Sequence, residues 1–124
     1  MNDKEIKTNL NYYAAYFEAM FWADIDGSDD IKGIYDISDI SQVSMWGIFK
    51  DLDSFFDQAG DILEETEYTH EQACHDFYLT RCGHGVGFWE ADHCTEEQGE
   101  KLTEIAQSFG TVDITESDGK LYID

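Results

Sequence analysis

Asp53, Asp57 and Asp61 stand at four-residue intervals, Glu64 and Glu65 continue the row, and Asp51 flanks it. If this segment is helical, successive carboxylates lie about 6 Å apart along the axis. Like charges at that spacing repel, and each such pair costs a few tenths of a kcal/mol. Ordinary solvated helix faces mix signs to gain stabilising pairs, yet Lys50 is the only cation between residues 41 and 65. A second cluster, Asp24, Asp26, Asp29 and Asp30, precedes the row. A rigid array of this kind can stand in for a phosphate backbone, where a duplex carries one charge per ~1.7 Å of axis. The chemistry expected is displacement of nucleic acid from a Lys- and Arg-lined cleft, with Trp22, Tyr35 and Trp46 as candidate apolar anchors.

A second group could do other chemistry. His70, Cys74, His75, Cys82, His84, His93 and Cys94 crowd into 25 residues. Zinc takes four nitrogen or sulfur ligands in a tetrahedron. His70 and Cys74 could share a helix face, and Cys82 and His84 flank a turn. However, no C-x₂-C or H-x₃-H pair occurs, and the adjacent His93 and Cys94 are awkward for one ion. A Cys82 or Cys94 nucleophile with His84 and Asp92 can also be drawn, but no motif supports it. The expectation is therefore no enzyme activity, no cofactor and no metal. Gly83, Gly85 and Gly87 lack the lysine and following helix of a phosphate loop. They are expected to permit positive φ in a turn, so that His84→Ala mainly costs stability.

The elements that must position these residues follow from periodicity. A helix over residues 3–23, capped by Asp3, is expected from Ile6, Leu10, Ala14, Phe17 and Phe21. The acidic segment around Gly27 ends it. Residues 31–40 suit a short strand or an irregular connection. A long helix over 41–65 buries Met45, Ile48, Phe49, Leu52, Phe55, Phe56, Ala59, Ile62 and Leu63. Alternation over 75–81 and 86–89 predicts a β-hairpin about Cys82-Gly-His-Gly85. Thr95 and Gln98 form a capping-box signature for a helix over 95–109, with Gly110 at its end. Asp118-Gly119 closes a hairpin over 112–123. The expected class is α+β: two N-terminal helices, hairpin, helix and hairpin in one acidic domain, 1–124, with helices on a small antiparallel sheet.

Composition narrows the partners. Seven Lys+Arg against 28 Asp+Glu give a formal net charge of −21, and residues 24–67 hold thirteen acidic groups against two basic ones. Such a surface repels nucleic acid and anionic membranes and stores self-repulsion in the fold. No run approaches the ~20 apolar residues of a membrane span. The N-terminus lacks the apolar core of a secretory signal, and three unpaired cysteines suit a reducing compartment, so a cytoplasmic location is expected.

The run 71–90, EQACHDFYLTRCGHGVGFWE, resembles a core in small proteins common in bacteriophage genomes, D-F-W-L-T-R-x-G-H-G-x-G-F-W-D. Asp76, Phe77, Leu79, Thr80, Arg81, Gly83, His84, Gly85, Gly87, Phe88 and Trp89 match it, while Tyr78 replaces Trp and Glu90 replaces Asp. The likeness extends over about residues 69–123, through an acidic helix and a closing hairpin. Those proteins mostly have no assigned activity, so the resemblance implies phage origin and carries over no catalytic residue. Small acidic phage proteins often inhibit restriction enzymes or CRISPR effectors, so the expected function is a DNA-mimic inhibitor acting in the host cytoplasm. Its partner would be a basic nucleic-acid-binding host protein, and the aromatic-rich N-terminal helix leaves room for a homodimer. The alternatives are an interaction module whose acidity is incidental and a small zinc-binding protein.

Overall fold

Asn2, not Asp3, caps the first helix: its side chain accepts the Glu5 N–H at 2.8 Å. The computed structural model describes residues 2–124. The expected 3–23 helix is divided. α1 spans Asp3–Tyr12, Tyr13 leaves helical geometry at φ −110° and ψ 20°, and α2 spans Ala14–Met20. A π turn, Phe21–Ile25, follows and closes with Asp26 N–H donating to the Phe21 carbonyl at 2.8 Å. Asp24 lies within this turn, and its carboxylate accepts from the buried Tyr78.

Residues 31–40 are irregular apart from a 3₁₀ turn, Ile37–Asp39, and a single bridge from Ile40 to Leu121. Glu116 holds this connection, accepting from the Lys32 and Gly33 N–H groups and from the Tyr35 hydroxyl. Ser41 then caps α3, Gln42–Glu64, whose apolar stripe buries Met45, Ile48, Phe49, Leu52, Phe55 and Ala59 as the periodicity requires.

The predicted hairpin over 75–89 does not form. His70–Arg81 is a helix, α4, opened by a capping box in which Thr69 Oγ1 accepts from Gln72 N–H and Gln72 Oε1 accepts from Thr69 N–H. Seven of its twelve residues are buried, on more than one side, so the amphipathic period is blurred and an apparent alternation remains. Phe88–Glu90 is a 3₁₀ turn rather than a strand. α5, Glu96–Gln107, has the expected Thr95–Gln98 box, and Gly110 beyond it adopts φ +76°.

The hairpin of β1, Ile114–Ser117, and β2, Lys120–Ile123, pairs antiparallel with Ile114 opposite Ile123. Asp118 and Gly119, at φ 51° and 79°, make its turn, which matches a type I′ geometry. The class is α+β, mostly helical with one two-stranded antiparallel sheet. That sheet is too small to be a platform for the helices. It adds Leu121 and Ile123 to a core built helix against helix. Phe55 stacks on Phe77 with centroids 4.1 Å apart and on Phe88 at 5.7 Å, while Tyr16, Phe17 and Tyr78 surround them. No helix among the described residues is long and apolar enough to cross a membrane.

Candidate functional site

At about 100° per residue, Val43, Trp46, Lys50, Asp53, Asp57, Asp61 and Glu64 share a sector of about 80° on α3. All are exposed. The face therefore begins apolar, at Val43 and Trp46, and ends acidic. The four carboxylates from Asp53 to Glu64 span about 16 Å of axis. Among the described residues two Lys or Arg ion pairs and two His–carboxylate contacts form, and none involves these four groups or Lys50. Glu65, the residue ending α3, is exposed on an adjoining side.

Not every predicted carboxylate is free. Asp51 lies about 140° around the helix from Trp46 and pairs with Arg81 Nη1 at 3.0 Å. Asp53 accepts the hydroxyl proton of the buried Tyr13. In the second cluster Asp24 turns inward, accepting from Tyr78 Oη and facing His84 Nε2 at 2.9 Å. Asp26, Asp29 and Asp30 stay exposed. Tyr68 and Tyr35 likewise donate to Asp76 at 2.7 Å and Glu116 at 2.6 Å. Part of the acidic excess thus serves as acceptors for tyrosine hydroxyls, and burial together with these carboxylates pushes the Tyr13, Tyr68 and Tyr78 hydroxyls well above their ordinary range.

No protein-family model, curated protein or solved structure matches the chain.

The 76–90 segment is explained largely as a structural lock. Arg81, nearly fully buried, donates through Nε to the Gly110 carbonyl at 2.9 Å and through Nη2 to the Phe109 carbonyl at 3.1 Å. It thereby ties α4 to the chain just beyond α5, whose own last carbonyls, Glu104 to Gln107, already accept from the Ser108, Phe109 and Gly110 N–H groups. Its plane covers Phe77 and Phe109, with Cζ 5.4 and 5.8 Å from the ring centroids. Burial opposes the guanidinium charge, but Tyr16 and Asp51 outweigh it and hold the group protonated. Thr80 Oγ1 accepts from Phe88 N–H at 3.1 Å, and Glu90 Oε1 accepts from Gly87 N–H at 3.1 Å.

Gly87 is required there. Its φ is +135°, and a Cβ would stand 2.1 Å from Thr80 Oγ1. Gly87→Ala is expected to destabilise by about 2–3 kcal/mol. Gly83→Ala, at φ +70° in open space, should cost only about 1 kcal/mol. Urea denaturation of the two variants checks the order, and equal losses would contradict it.

The cysteines are poor nucleophiles. Burial, then Glu71, pushes the Cys74 thiol up to about 12, and burial also raises Cys82 and Cys94. His70 sits 3.5 Å from Cys74 Sγ, but its ring is packed on Tyr12 and Phe56. His93 packs on Tyr68 instead. Sequence reasoning missed two partnerships, Arg81 with Asp51 and His84 with Asp24. The isolated arginine in so acidic a chain was the one available signal for the first.

Proposed function

We propose that this chain is an acidic decoy that occupies the nucleic-acid-binding cleft of a basic host protein of the restriction or CRISPR effector type. The observation that carries the reading is the solvent face of α3, where Asp53, Asp57, Asp61 and Glu64 make no ion pair among the described residues and Lys50 is the lone cation. Such a row is penalised in isolation and rewarded when a Lys- and Arg-lined groove closes over it. Trp46 and Val43, at the head of the row, supply apolar area that can be desolvated at the centre of an interface. Asp26, Asp29, Asp30 and Glu65 extend the acidic surface. The resemblance of residues 76–90 to phage proteins supports the same reading, with the host cytoplasm as the proposed site of action.

Salt tests it with two opposite signs. Capture of the partner from a host lysate should weaken steeply between about 50 and 200 mM salt. The melting temperature of the isolated chain should rise over the same range, because screening relieves its self-repulsion. A captured nuclease or effector that is released by competing DNA supports the decoy. The rival reading, an interaction module with incidental acidity, draws on exposed Trp22 and Val86, which line a shared cleft. Salt-insensitive capture through that apolar patch would overturn the decoy in its favour.

A further inference from the structure

Away from the acidic face of α3, one place gathers three different metal-ligating atoms. The π turn supplies Asp24, and the chain leaving α4 supplies Cys82 and His84. One carboxylate oxygen, one thiol sulfur and one imidazole nitrogen there all lie within 4.8 Å of one another. They line an open cleft of about 300 Å³ together with Asp30, Thr111 and Asp113.

We propose that Asp24, Cys82 and His84 bind one zinc ion, with the fourth coordination position open to the cleft. Ligand atoms 2.0–2.3 Å from a tetrahedral zinc stand roughly 3.5 Å apart, so closing this trio on an ion takes shifts on the order of 1 Å. A thiolate and an imidazole with one carboxylate suit zinc and disfavour magnesium and calcium, which take oxygen ligands. Three protein ligands and an open position is an arrangement zinc commonly adopts.

The surroundings fit the assignment. Tyr78 is fully buried and donates to Asp24 Oδ2, the oxygen that also faces His84 Nε2, which fixes the orientation of that ligand. Gly83 and Gly85, at φ +70° and +79°, turn the backbone so that Cys82 and His84 reach the same cleft. Asp30 and Asp113 add negative potential around it. The ion would join segments more than fifty residues apart, so its binding should stabilise the fold. The site shares no residue with the α3 row, and its failure would leave the decoy reading untouched.

The test uses the full chain, stripped with a chelator and titrated with zinc in excess magnesium. Magnesium saturates ordinary surface carboxylates and leaves a thiolate site to zinc. The expected result is one zinc per chain and a higher melting temperature. Cobalt in place of zinc should show a thiolate-to-metal charge-transfer band. Cys82→Ser should remove that band, and Cys82→Ser and His84→Gln should each weaken zinc binding at least about 100-fold. Cys94→Ser should change neither. His84→Gln keeps an amide that can still bond Asp24 from the turn after α4, so it decides the matter if Cys82→Ser does not fold. Uptake that magnesium abolishes overturns the proposal, as do zinc binding and a cobalt band that survive in His84→Gln at full strength.

Discussion

Replacing Asp57, Asp61 and Glu64 by lysine is expected to weaken partner binding by roughly 100-fold at low salt while leaving the fold intact. The three side chains share the exposed face of α3 and make no hydrogen bond or ion pair among the described residues, so no native polar contact is lost. Each substitution moves the net charge two units towards zero from −21, which relieves repulsion along the helix. The melting temperature should therefore hold or rise. Asp53 is excluded from this set, although the spacing alone would include it, because Tyr13 donates to it from the core. A lysine at 53 would leave that hydroxyl without its acceptor, at about 1–2 kcal/mol, and confuse binding with stability. Titration calorimetry against the captured partner, beside thermal melts, reads both quantities. If affinity is unchanged in the triple variant and lost in His84→Ala, the binding surface is the Gly/His segment after α4.

Arg81→Ala should cost about 3 kcal/mol, a large fraction of the ~5–15 kcal/mol that holds a domain of this size together. The guanidinium reaches Asp51 on α3, Tyr16 on α2 and the Phe109 and Gly110 carbonyls beyond α5. Without it the carbonyls of half-buried Phe109 and exposed Gly110 lose their donor, at about 1 kcal/mol each. The space over Phe77 and Phe109 also becomes a cavity. Arg81→Lys should recover less than half, because an ammonium cannot present the planar fork that spans all four acceptors. Urea midpoints at unchanged slope measure the loss, and a deficit below about 1 kcal/mol would mean that water replaces the guanidinium. The same contact warns against reversing Asp51, since a lysine there would face Arg81 and unfold what it was meant to probe.

How much was legible depended on whether a pattern was local. α3 and α5 could be drawn from the sequence because each buries one stripe and carries its cap within four residues. Asp118-Gly119 located the last hairpin because only a few residues tolerate that backbone. α4 failed on the same principle: Cys74, Phe77, Tyr78, Leu79, Thr80 and Arg81 are buried on several sides and leave no clean stripe. Its start was nevertheless written in Thr69 and Gln72, the same box that correctly opened α5. The break at Tyr13 had no signal, because the apolar spacing of α1 runs straight on into α2. For the site, the free carboxylates of α3 were visible as a row. The inward turn of Asp24 was not, because its partners Tyr78 and His84 lie more than fifty residues away and only the packing of α2 on α4 joins them.

The placement of the aromatic residues divides the molecule's optical signals. All three tryptophans face water, with Trp22, Trp46 and Trp89 at 72%, 48% and 57% exposure, while the fully buried rings are tyrosine and phenylalanine. Indole emission from the native chain is accordingly that of a hydrated chromophore and changes little when the core melts. It responds instead to whatever covers the surface, and Trp46 stands at the head of the carboxylate row. Folding is reported by the near-ultraviolet dichroism of Tyr16 and Tyr78, locked edge to face 5.1 Å apart. Interior and exterior carry different chromophores, so docking and unfolding can be followed in one sample without either masking the other.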